Sequence, residues 1–175
     1  ERCYLRAYVW NKLFRREVLD GIRFSTELSF AEDYEMFCRV LEQCGRIVCG
    51  TKTKYYYMQR KSGVCNCGYD RTYQKAMMMF EDYCRMYSRR YPQYKKLFEN
   101  HYLFDLMGMA AAMSRNGNYV AADCRKIKKY VRQKLPQYLM DKKVSLHLKG
   151  SACMISVSVR AFGAVYRLLH GVESE

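Results

Sequence analysis

The sequence predicts an α+β chain that is predominantly α: a few short strands and one acid-headed helix in the first 68 residues, then helices. Two observations carry this. Strand-forming stretches at 8–14, 47–49 and 52–57 are confined to the first third of the 175 residues. From about Tyr69 the texture changes to long runs with apolar residues at helical spacing, punctuated by Pro and Gly.

Taken in order, residues 8–14 (Tyr-Val-Trp-Asn-Lys-Leu-Phe) alternate loosely and read as a strand, and 15–20 make a short helical turn closed by Gly21. Ser29 followed three residues later by Glu32 is a capping box, so a helix is expected to begin there. Met36, Phe37, Val40, Leu41 and Cys44 then form one apolar stripe, and Gly45 is a natural stop. Asp33 falls in the first turn, beside backbone N–H groups that favour a charged carboxylate. Two short strands are expected on either side of Gly50.

Three long helices follow, at about 70–90, 93–115 and 119–134, stopped by Pro92, by the Asn116-Gly117-Asn118 run and by Pro136. The runs Met77-Met78-Met79-Phe80 and Leu106-Met107-Gly108-Met109-Ala110 are apolar on more than one face, as helix packing requires. Nine cations (Arg125, Lys126, Lys128, Lys129, Arg132, Lys134, Lys142, Lys143, Lys149) against the single acid Asp141 leave +8 between 125 and 149. In the tail, Ile155, Val159, Phe162, Tyr166 and Leu169 share one helical stripe, with Lys149, Arg160 and Arg167 opposite. That pattern suits a helix lying in an anionic membrane interface, or an ordinary amphipathic helix packed on the protein. The expected division is 1–68, then a helical extension at 69–143, then an amphipathic tail at 144–175.

The formal charge of +14 calls for an anionic partner: nucleic acid, an acidic membrane surface or a phosphorylated ligand. The apolar tail favours the membrane over nucleic acid. Nine cysteines without a C-x-x-C pair read as free thiols of a reducing, cytoplasmic compartment, at the inner face of the membrane if the tail docks there. The chain opens without Met and reaches a strand-like run almost at once, which reads as a fragment of a longer polypeptide.

The order of pieces resembles one family. Trp10-Asn11-Lys12-Leu13-Phe14-Arg15-Arg16-Glu17-Val18-Leu19, Ile22-Arg23-Phe24, Ala31-Glu32-Asp33, Arg39, Gly45 and Tyr55-Tyr56-Tyr57-Met58-Gln59-Arg60 together resemble the family-2 inverting glycosyltransferases over roughly residues 8–65. The resemblance implies a partial GT-A-type α/β domain, the acceptor side of a catalytic unit that moves a sugar from a nucleotide-sugar to a glycan or lipid-linked acceptor. It makes Asp33 the general base, which takes the proton of the attacking hydroxyl in a single displacement, with Glu32 supporting. Trp10 becomes a candidate wall for a sugar ring, or else a core residue, and Arg39 a structural ion-pair partner. Arg60 and Lys61 match a position resembling a diphosphate clamp, where cations offset charge developing on the leaving group. Here Ser62 precedes Gly63, the reverse of the family's usual order. The family's Asp-x-Asp metal motif is not in this sequence, so Mg or Mn is expected only with a nucleotide-binding half, no metal is expected on these residues, and they are expected not to catalyse transfer alone. The rival reading is a basic helical module that binds nucleic acid or docks on a membrane, drawing on the net charge and on cations interleaved with tyrosines at 83–91.

Overall fold

An apolar stripe on a helix must be buried against something, and this chain does so in two separate places. The computed structural model describes residues 7–50, 52, 54–58 and 68–170, and the chain divides into two compact units, Glu1–Lys61 and Ser62–Glu175.

In the first unit, helix α1 (Glu32–Gln43) buries Met36, Phe37, Cys38 and Val40. Ile22, Met36 and Val40 form a small core, covered by Val9, Phe14, Val18, Leu19 and Cys44. Two 3₁₀ turns, Val9–Asn11 and Arg16–Leu19, bring the covering residues in. Gly21 reverses the chain after the second turn at φ 74°, a left-handed conformation that suits glycine. Arg39 pairs with Glu35 one turn back (2.7 Å) and donates to the Arg23 carbonyl, which ties α1 to the preceding loop.

The expected α+β class, with its partial GT-A-type α/β domain, is overturned here: the described residues form helices and turns, and no strand or sheet occurs among them. Within 8–14, Val9–Asn11 is a 3₁₀ turn in which the Lys12 N–H bonds to the Val9 carbonyl, and 12–14 are irregular, not a strand. Residues 47–49 and the described part of 52–57 run exposed and irregular. The physical reason is the lack of partners. A strand needs a ladder, and strand propensity reflects packing more than backbone preference. Here the strand-forming side chains are used otherwise: Val9 and Phe14 cover the α1 core, while Trp10 stacks on tyrosines.

The second unit contains α2 (Arg71–Arg90), α3 (Lys95–Asn116), α4 (Ala121–Met140), α5 (Leu146–Val157) and α6 (Val159–His170). Asp70 starts α2 by accepting from the N–H groups of Thr72 (2.9 Å) and Tyr73 (3.2 Å), a cap of about 1 kcal/mol. The Thr72 hydroxyl, 2.6 Å away, holds this carboxyl below its ordinary range. The unit is built round α3, which packs against α2, α4 and α6 and buries residues on every side, including Leu103, Leu106, Met109 and Met113. Gly117 ends it in the left-handed region at φ 69°. Tyr83, Tyr87 and Tyr91 stack along α2, with Phe98 against Tyr87, so the tyrosines interleaved with cations pack on one another.

Helix α4 does not stop before Pro136 but runs through it to Met140. A proline inside a helix costs about 3 kcal/mol, and contacts made on both sides of it offset this. Lys134 pairs with the buried Glu99 (2.7 Å), Gln137 donates to Asn100 (3.1 Å), and Tyr138 is buried. The tail also differs from a single stripe. Ser158 adopts an extended conformation and breaks it in two, and its hydroxyl accepts from the Ala161 N–H (3.2 Å), capping α6. Ile155, Val159 and Phe162 of the expected stripe are buried within the unit, the packed alternative rather than the lipid-facing one, and Arg167 donates to the Ser114 carbonyl and the Tyr119 hydroxyl, both at 3.1 Å. Among the described residues no helix is long and apolar enough to cross a membrane.

Candidate functional site

The first unit carries the candidate site, and it is built from the head of α1 outward. The expected capping box does not form: the residue preceding the helix is Ala31, at φ 62° and ψ 22°, and no side chain caps the helix from that position. A left-handed alanine costs about 1–2 kcal/mol. Its effect is to turn the chain so that the Ala31 carbonyl accepts from the Glu35 N–H (3.1 Å) while Glu32 and Asp33 occupy the first turn.

Asp33 is half-buried, and its Oδ1 accepts from the Tyr34 N–H at 2.7 Å. Burial pushes its pKa above the ordinary carboxylate value; the Tyr34 N–H opposes this, the neighbouring Glu32 carboxylate adds to it, and the Lys12 ammonium draws it back. The helix start therefore does not dominate this carboxyl, as position alone suggests; loss of water does. Lys12 is itself partly desolvated, which lowers its pKa, with Asp33 pulling the other way. Its ammonium donates to the Asn11 side chain (2.7 Å) and sits 4.7 Å from the Phe37 ring centre, one turn along α1 from Asp33.

Trp10 lies two residues before Lys12, half-buried, with Tyr8, Tyr55 and Tyr57 stacked on it at ring separations of 5.2, 4.8 and 5.1 Å. Both alternatives for this side chain meet in one arrangement: it is the middle of an aromatic stack whose tyrosine members are exposed. Trp10 and Lys12 also line a broad cleft of about 1530 Å³, together with Arg15, Arg46, Lys52 and Lys54. Among the described residues no carboxylate lines it, so the cleft is an electropositive concavity suited to an anionic group. Asp33 is not among its described lining residues.

Thus Glu32, Asp33 and Trp10 fall in one unit, whereas Arg60 and Lys61 lie outside the described residues. The cleft cations Lys12, Arg46, Lys52 and Lys54 went unmarked as site residues. The signal available for them was the alternation Lys52-Thr53-Lys54 ahead of the tyrosine run. Among the described residues no group of three or more His, Cys, Asp or Glu side chains could hold a metal ion.

The chain matches no protein-family model, no curated protein and no solved structure. The first unit carries a half-buried carboxyl whose pKa burial raises, a partly desolvated ammonium, an aromatic stack and an electropositive cleft.

Proposed function

We propose that the head of α1 is the acceptor side of a sugar-transfer site, in which Asp33 is the general base for transfer, with inversion, from a nucleotide-sugar to a glycan or lipid-linked acceptor. The observation that carries the reading is the Asp33 carboxyl, half-buried in the first turn of α1, where burial displaces its pKa upward. A carboxylate of raised basicity is a better proton acceptor near neutral pH than an exposed one.

In the reaction the acceptor oxygen attacks the anomeric carbon and its proton passes to Asp33. The bond from that carbon to the diphosphate oxygen breaks, and the nucleoside diphosphate leaves with the electron pair. Glu32 supports by keeping Asp33 basic. The exposed tyrosine faces around Trp10 offer flat apolar contact to a sugar ring, and Lys12, Arg46, Lys52 and Lys54 offset negative charge in the cleft. Arg60 and Lys61 belong to this proposal as a clamp on the leaving diphosphate. The rest of the nucleotide-sugar and any metal on its phosphates are held by a nucleotide-binding half outside these 175 residues, which alone do not turn over.

The test uses the full-length protein with a panel of UDP- and GDP-hexoses and oligosaccharide acceptors, reading release of nucleoside diphosphate. Asp33→Asn is expected to lower transfer by about 10²- to 10⁴-fold while leaving nucleotide-sugar affinity within about twofold. Unchanged transfer in that variant overturns the assignment.

A further inference from the structure

The second unit presents an unusual outer surface at its C-terminal end. Helix α6 buries Val159, Phe162 and Gly163. At 100° per residue the opposite side of the helix carries Ala161, Ala164, Val165 and Leu168, spaced i, i+3, i+4, i+7, and all four are exposed. Leu168 is 84% exposed, and its neighbour Leu169 is 75% exposed. Helix α5 repeats the pattern: with Ala152 and Ile155 buried, the opposite side carries Leu146, Gly150 and Val157, of which Leu146 is 85% and Val157 68% exposed. Single exposed apolar residues are ordinary. Two consecutive helices with apolar residues on both the inner and the outer side are not, because a surface helix normally turns charged residues outward.

Between Asp141 and Glu173 the chain carries charges of one sign. From 142 to 170 the chain contains Lys142, Lys143, Lys149, Arg160 and Arg167 and no Asp or Glu. Lys142 and Lys143 are exposed at the turn into α5, and Arg160 is exposed at the start of α6. Arg167 is held against Ser114 and Tyr119 and takes no part in the outer surface.

We propose that the outer faces of α5 and α6 dock on an anionic phospholipid surface, with Val157, Val165, Leu168 and Leu169 entering the headgroup boundary and Lys142, Lys143 and Arg160 over the anionic headgroups. Charge complementarity selects this occupant. A second copy of the chain would bring the cations of 142–170 against their own kind, whereas an anionic bilayer supplies apolar depth and negative charge together. Each helix is 12 residues long, so the contact is interfacial. The face used is the opposite of the stripe expected from sequence, whose first members are buried. This inference does not rest on the sugar-transfer reading, and its assay contains no nucleotide-sugar, so either can fail alone.

The test is co-sedimentation of the full chain with vesicles of phosphatidylcholine alone or with 30% phosphatidylglycerol (about 0.15 M salt), with light scattering for oligomeric state. The chain is expected to sediment with the anionic vesicles and not with phosphatidylcholine. Leu168→Asp and the pair Lys142→Glu/Lys143→Glu are each expected to weaken association about tenfold or more. Both should leave the thermal midpoint unchanged, because these side chains are exposed. The proposal is overturned if the chain ignores anionic vesicles, if Leu168→Asp binds as wild type does, or if the variants abolish a dimer while vesicle binding persists.

Discussion

Gly163, in the middle of α6, is a position where one added methyl group should be costly. A Cβ there would stand 2.0 Å from the Tyr119 hydroxyl oxygen, 2.8 Å from Ser114 Oγ and 3.0 Å from Tyr119 Cζ. Ser114 is buried and already donates to the Ala110 carbonyl (2.8 Å), so it has little room to yield; the Tyr119 ring must move instead. Moving it breaks the hydrogen bond from Arg167, a charged-donor bond of about 1.5–3 kcal/mol. The overpacking itself adds about 1–3 kcal/mol. Against this, alanine is about 1 kcal/mol better than glycine inside a helix. The balance is a net loss of about 2 kcal/mol or more for Gly163→Ala, read as a lower urea midpoint. In a Tyr119→Phe background the hydroxyl is gone and the hydrogen bond already lost, so the same substitution should cost at least about 1 kcal/mol less. An equal cost in both backgrounds, or stabilisation of the wild-type background, would refute the packing of α6 through Gly163 and, with it, the outward placement of Leu168.

Three further outcomes follow from other parts of the structure. Ala31→Gly should relieve about 1–2 kcal/mol of left-handed strain against about 0.4–1 kcal/mol of added chain entropy, so the thermal midpoint should rise slightly; a clear fall would contradict the φ of 62°. Asp105, desolvated in α3 beside a His101 whose own pKa burial lowers, has its pKa pushed up to about 8. Because the folded value lies above the unfolded one, this group costs stability increasingly as pH rises from about 4 towards 8. Asp105→Asn should therefore stabilise more at pH 8 than at pH 5 in urea titrations, and a constant difference would count against the shift. Lys134→Met leaves the buried Glu99 without its ion-pair partner and should cost about 2–3 kcal/mol, much of it recovered in Lys134→Met/Glu99→Leu; if the double variant is no better than the single one, the pair is not the source of the loss.

The long helices were legible because their signals are local. Asp70, Pro92 and Gly117 punctuate apolar periodicity strong enough to place α2 and α3 within about two residues. Several misreadings involve contacts between residues distant in sequence. The strand formers at 8–14 could not disclose that their partners would be an α1 core and a tyrosine stack instead of a ladder. Pro136 looked like a stop because the bonds of Lys134 and Gln137 to Glu99 and Asn100, made nearly forty residues back, leave no trace in the local pattern. The tail's apolar stripe was correctly seen as apolar, but which side meets the protein depended on Ser158 capping a second helix. At the candidate site, Glu32 and Asp33 were legible from their place at a helix start. Lys12, 21 positions earlier in the chain, was not, and neither was the left-handed Ala31 that replaces the capping box.

The pH dependence of kcat in the full-length protein is the direct test of Asp33 as the proposed proton acceptor, half-buried and influenced by Glu32 and Lys12. Turnover should fall on the acid side as Asp33 becomes protonated. Lys12→Gln removes a charge that draws the Asp33 pKa down, so the acid limb should move to higher pH; Glu32→Gln removes one that pushes it up, so the limb should move lower. Opposite displacements in the two variants are the predicted result. An acid limb that stays in place in both variants, or persists in Asp33→Asn at wild-type turnover, would contradict it.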